Sequence, residues 1–257
     1  MTAQTVFEAQ GLSVAYGQSR PVLQDVSLSL AAGRTLGLVG ESGSGKTTLS
    51  RAALGLLKPS AGCVRLFGTD LATLDRRGLV ALRRRVQIVF QDPYTSLNPT
   101  MSVGEAIAEP LIVNGIGDRN ARRQRVAELM RLVGLDPAMA SRYPTEFSGG
   151  QRQRIAIARA LAPAPELIIC DEPVSALDVS VQAQILNLLK RLQKDFGLSL
   201  LFVSHDLSVV RFIAHDVAVI QSGRIVENGE KRQVLDHPEH PYTVELIEAA
   251  KLRARPS

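Results

Sequence analysis

Apolar positions along this chain fall into two rhythms. Short, mostly apolar runs occur at Arg34–Val39, Val86–Phe90, Leu167–Cys170, Leu198–Val203 and Val217–Ile220. Runs of this length read as strands buried on both faces. Between them the spacing becomes helical: Val181, Ile185, Leu188, Leu189, Leu192 and Phe196 line one face, and Val126, Leu129, Met130 and Val133 line another. Strands alternating with helices predict an α/β fold with a mostly parallel sheet covered on both sides. Further β-like segments lie at Val6–Tyr16, Val22–Leu30 and Cys63–Gly68, separated by Gly17, Pro21 and the Pro59–Gly62 turn. From about 93 to 162 the character is loops and amphipathic helices, so a helical block is expected inside the sheet-forming sequence.

Two Gly-rich stretches each open a predicted helix. Gly40-Glu41-Ser42-Gly43-Ser44-Gly45-Lys46-Thr47 matches G-x-x-x-x-G-K-[ST] and follows a strand. Its glycines let successive N–H groups converge on an anion, and the helix from Lys46 through Thr48 and beyond adds its positive dipole end. Lys46 is expected to reach the β/γ-phosphates, and the Thr47 hydroxyl to ligate Mg²⁺. The second stretch, Ser148-Gly149-Gly150-Gln151-Arg152, offers another set of amides at a helix start. One nucleotide needs only one loop of the first kind, so a shared arrangement is expected.

Carboxylates complete the chemistry. Leu167–Cys170 runs into Asp171-Glu172, which places two acids at the carboxyl end of a buried strand, where open α/β sheets bind ligands. Asp171 suits Mg²⁺ held through water. Glu172 suits proton acceptance from, or orientation of, a water attacking a γ-phosphate. His205 and Gln91 also follow apolar strands and should emerge on the same rim, His205 near the γ-phosphate and Gln91 near Mg²⁺ or the attacking water. Elsewhere a histidine at a strand end is commonly only a structural hydrogen-bonder.

Composition narrows the partners. The 257 residues suffice for one large α/β domain, and 45% apolar residues is ordinary. Cys63 and Cys170 show no metal-ligand spacing and suggest a reducing compartment. No leader pattern or bilayer-length apolar run is present, so a membrane role is expected to come through a partner. Net charge is only +5, and aromatics total 4% with none between the arginines of 76–77, 83–85 and 119–125. Solvated helix faces are therefore expected there, and no nucleic acid.

In their order these motifs resemble the nucleotide-binding subunit of an ABC transporter, over nearly the whole chain. The resemblance implies Walker A at 40–47, the Q-loop residue Gln91, the signature Ser148–Arg152, Walker B at Leu167–Glu172, the D-loop Ser175–Asp178 and the switch histidine His205. Tyr16 lies where the family stacks an aromatic on adenine. The implied fold is a P-loop NTPase (RecA-like) core with an N-terminal antiparallel β subdomain and an inserted α-helical signature subdomain. A single domain over 1–257 is expected, divided into a core (1–92 and 163–235), the helical subdomain (93–162) and a C-terminal tail (236–257). Such subunits dimerise head to tail, with each ATP between one Walker A loop and the other subunit's signature.

Phe90–Pro99 and His237-Pro238-Glu239-His240-Pro241-Tyr242-Thr243 are similar to the oligopeptide/dipeptide/nickel importer group. The first lies where that family docks a helix of the membrane subunit. The resemblance implies an ATPase driving uptake of peptides, or of nickel or a metal chelate. Implied partners are a second ATPase subunit (identical or not), two transmembrane permeases and, indirectly, an extracytoplasmic solute-binding protein. The chain would sit on the cytoplasmic face of the membrane. Some relatives carry a cysteine cluster in a longer tail; none is seen here, so no iron–sulfur centre is expected. Two rivals remain open: a DNA- or translation-acting ABC ATPase, and a carbon–phosphorus lyase subunit.

Overall fold

The structure, a computed structural model, describes residues 4–17, 21–92 and 96–253. Its centre is a six-stranded sheet built from β3 (Thr35–Val39), β6 (Val86–Val89), β7 (Leu167–Asp171), β8 (Ser199–Ser204), β9 (Asp216–Gln221) and β10 (Arg224–Glu230), ordered β10-β9-β3-β8-β7-β6. All neighbours are parallel except β10, which runs antiparallel along β9 at one edge. β10 was not expected from the sequence, because its mixture of polar and half-buried positions carries no apolar run. A second, four-stranded antiparallel sheet is ordered β2-β1-β4-β5, from β1 (Thr5–Val14), β2 (Leu23–Ala31), β4 (Ala61–Leu66) and β5 (Thr69–Asp70).

Period-two alternation sorts the core into two layers. Leu201 and Val203 pack with Leu36, Leu38, Ile169 and Ala218 toward the antiparallel sheet and helix α1 (Lys46–Ala53). Leu200 and Phe202 point the other way with Val39, Ile168, Cys170 and Val217. That face is covered by α6 (Val179–Phe196) and α7 (Leu207–Ile213) and continues into the helices α3 (Val103–Val113), α4 (Arg119–Leu132) and α5 (Gly149–Leu161). The basic segment Arg76–Arg85 is helix α2, with only Leu82 buried. Residues 231–236 form α8 (Lys231–Asp236), and α9 (Pro241–Arg253) closes the described chain. Among the described residues no helix is long and apolar enough to cross a membrane.

Parallel register matters most for function. Val39 lies opposite Ser204, Asp171 opposite Val203, and Val89 opposite Cys170. The residues that follow these strands, Gly40, Glu172, His205 and Phe90-Gln91, therefore leave the sheet at one rim.

Gly37 sits mid-strand where α7 crosses closest: a Cβ there would lie 2.4 Å from Val210 Cγ1 and 3.1 Å from Ala214 Cβ. Valine is stiff at χ1 and cannot swing aside. Gly37→Ala should lower stability by about 1–3 kcal/mol, read as a lower urea midpoint at unchanged slope, and Val210→Ala in the same chain should restore much of the loss.

Candidate functional site

A cleft of about 1170 Å³ opens at this rim. Gly40–Gly43 and Gly45–Thr48 form its floor, while Gln91, Glu172 and His205 approach from the neighbouring strand ends. The loop is compressed against the sheet. A Cβ on Gly40 would sit 2.2 Å from the Ile220 carbonyl oxygen, and Gly45 turns at φ 109 with Leu23 Cδ2 only 2.8 Å from its missing Cβ. Only glycine tolerates either position.

Lys46 is buried, and its ammonium donates to the carbonyls of Gly40 (2.8 Å) and Glu41 (2.7 Å). Burial lowers its pKa, while Glu172, Asp171 and Glu41 pull the other way. Asp171 is also buried, and burial raises its carboxyl above the usual range against a hydrogen bond donated by Thr47. Among the described residues its Oδ1 has no hydrogen-bond partner, and neither does the buried Ser44 Oγ. Buried polar atoms of this kind are normally satisfied. A hard cation beside Thr47 Oγ1 and Asp171, and an anion above the loop, fit these donors and acceptors. Directly behind, burial pushes the Cys170 thiol up to about 12, so it stays protonated.

Glu172 leaves the strand at φ 50, a left-handed conformation costly for a residue with a side chain. Its amide donates to Val203 O (3.0 Å), and His205 Nδ1 lies 3.1 Å from its Oε2, a contact that needs the proton on Nδ1. The turn carrying His205 is fixed on its far side: Ser204 Oγ accepts from the Asp206 amide, and Asp206 caps α7 at Ser208. Tyr16 stands exposed over α1 with its hydroxyl 3.5 Å from Thr48 Oγ1.

The expected residues divide into two groups. The structure brings Lys46, Thr47, Thr48, Gln91, Glu172 and His205 together around one cleft. Ser148, Gly149, Gly150, Gln151 and Asp178 do not line it. Ser148 instead caps α5 in a capping box: its Oγ accepts from the Gln151 amide (3.3 Å), and Gln151 Oε1 accepts from the Ser148 amide (3.0 Å). The Ser148 hydroxyl proton remains free to donate outward. Asp178 is exposed at the start of α6 and makes no side-chain cap. Residues 93–95 of the expected docking stretch lie outside the described residues.

Two contributors were missed. Arg159 on α5 donates to the carbonyl of Ser96 (2.7 Å), tying the helix that Ser148 starts to the segment after Gln91. Tyr242, Glu245, Leu246, Ala249 and Ala250 of α9 form a further wall of the cleft. The His237–Thr243 motif was the available signal for that wall, but nothing in the motif indicates where it packs. His240 is already engaged there, its Nδ1 accepting from the Tyr242 amide (3.2 Å).

A phosphate loop, a strand-end acid pair and a histidine on one rim of a parallel sheet define a P-loop nucleotide-binding protein. The sequence pattern of the family described as ABC transporter matches residues 23–175, and the chain belongs to that family. Oligopeptide transport ATP-binding protein OppD of Mycobacterium tuberculosis is 55% identical over 235 residues, covering 91% of this chain; the chain spans only 38% of that relative's length. CbiO1 of Clostridium perfringens, part of the ABC transporter complex CbiONQ, superposes with a TM-score of 0.83 at 27% identity, covering 98% of this chain and 96% of its own. The dimeric ATP-binding cassette MJ0796, in a post-hydrolysis state with ADP and Pi, gives 0.79 at 31% identity, covering 88% and 99%.

Asp171 provides a test with a definite sign. A carboxyl whose folded pKa is raised binds protons more readily folded than unfolded. Its ionisation therefore costs stability as pH rises above the unfolded value of about 3.9. Asp171→Asn should unfold in urea at pH 7 at or above the wild-type midpoint without ligand, and should lose the added stabilisation that magnesium gives to nucleotide. A lower ligand-free midpoint would make the carboxylate structural.

Proposed function

We propose that this chain is the ATP-hydrolysing subunit of an importer for peptides or a related solute, working as one half of an ATPase pair. The observation that carries the ATPase reading is the Glu172 carboxylate, held at a strained strand end beside His205 on the rim of the phosphate-loop cleft. The amides of the Gly43–Thr47 turn and Lys46 bind the phosphates; Tyr16 offers its ring to the base. Lys46 keeps its two loop carbonyls and turns its third ammonium N–H to the phosphate oxygens when ATP enters. Thr47 and Asp171 would hold Mg²⁺, with Gln91 completing its surroundings, and the ion would neutralise charge on the β- and γ-phosphates.

Glu172 accepts a proton from the attacking water as its oxygen bonds to the γ-phosphorus. The bond from that phosphorus to the bridging oxygen breaks, leaving ADP and phosphate. His205 orients Glu172 through its Nδ1–H, on the rim where the γ-phosphate would lie. The separation of Ser148–Gln151 and Asp178 from the cleft supports a partner subunit that brings its own copies of these groups to the γ-phosphate. ATP then favours the closed pair by contacts that hydrolysis removes.

Peptide as the solute class rests on the naming of OppD. Membrane permeases, a solute-binding protein outside and a position on the cytoplasmic face complete the proposal. In this proposal the cleft serves the nucleotide, and the solute is read by the permeases and the binding protein.

Glu172→Gln should keep ATP binding, lower steady-state hydrolysis by about 10²–10⁴-fold, and shift the protein to a dimer in ATP on size exclusion. Unchanged turnover would remove Glu172 from the mechanism. Co-purification with permeases and ATPase stimulated by peptide-loaded binding protein checks the import reading; purification with phosphonate-processing enzymes would overturn it.

A further inference from the structure

Helix α9 does more than flank the cleft. The Tyr242 side chain is buried, and its hydroxyl accepts from the backbone N–H of Glu41 (3.2 Å). That N–H belongs to the peptide group whose carbonyl, on Gly40, accepts from Lys46 Nζ (2.8 Å). One peptide plane of the phosphate loop is thus gripped at both ends: at its oxygen by the phosphate-binding lysine, and at its nitrogen by the C-terminal helix. Hydrogen bonds chained through one amide polarise each other, so the Tyr242 contact strengthens the carbonyl that holds Lys46.

The start of α9 is itself fixed. Glu227 on the edge strand β10 accepts from the amides of Glu239 and His240, each at 3.1 Å, just before the helix begins. Tyr242 and Ile247 are buried, and Leu246 and Ala250 pack against the core. A tyrosine held this firmly fixes the tilt of the Gly40–Glu41 peptide, since the loop's other glycines leave it free to reorient.

We infer that Tyr242 is a positioning residue for the phosphate loop, and that docking of helix α9 and nucleotide binding are coupled through the Gly40–Glu41 peptide. The inference rests on the nucleotide reading above. Because coupling is reciprocal, bound nucleotide must hold the helix down as firmly as the helix favours nucleotide.

The test uses the full chain. Tyr242→Phe keeps the ring and removes the acceptor; its dissociation constant for ADP, by calorimetry, should rise about five-fold, with little change in the ligand-free urea midpoint. Glu227→Gln, which weakens the anchor without touching the loop, should act in the same direction. In the wild-type protein, ADP should slow hydrogen exchange of amides 242–252, and this measurement stands even if a variant folds poorly. Wild-type affinity in Tyr242→Phe, or exchange in α9 indifferent to ADP, overturns the inference. Failure of the wild-type protein to bind ADP at all would instead strike the nucleotide reading.

Discussion

A buried ammonium is the constraint around which this molecule is arranged. Lys46 is buried at the floor of the cleft, and its charge is met by two carbonyls rather than by a carboxylate in contact. Dipoles satisfy a cation less completely than an anion does, so the site remains hungry for negative charge. Asp171 and Glu172 lower that appetite only from a distance. The parallel register places them, and His205, at the height where phosphate oxygens and their counter-ion would lie. A one-residue slip of β7 against β8 would turn Asp171 to the other face of the sheet.

Much of this was legible in the sequence, for a physical reason. Strands buried on both faces must be apolar throughout, so Leu167–Cys170 and Leu198–Val203 stand out, and the first polar residue after each marks the rim. The phosphate loop announces itself because glycine is forced where Gly40 meets Ile220 and where Gly45 turns left-handed. The edge strand Arg224–Glu230 and helix Pro241–Arg253 were not read. An edge strand half open to solvent needs no apolar pattern, and a helix of mixed alanine, glutamate and leucine has a weak one. The Tyr242–Glu41 contact joins residues 201 positions apart, which no local pattern encodes.

The two Gly-rich stretches, alike in composition, differ in construction. The first surrounds a cleft and is braced on every side by strand ends, a lysine and a distant helix. The second is braced by its own helix start, through the paired hydrogen bonds of Ser148 and Gln151, by Arg152 on the carbonyls of Pro144 and Thr145, and by the close approach of Val181 to Gly150. Through Arg159 its helix is also hydrogen-bonded to Ser96, in the segment after Gln91.

The reciprocal cap at Ser148 also bears on speed. A helix start whose amides were frayed would have to order before it could grip anything, and that ordering would slow every productive collision. With the turn already locked by its own side chains, the entropy loss was met during folding. On the two-subunit reading proposed above, a phosphate arriving at this surface would meet a turn already ordered, so orientation and charge would govern its capture.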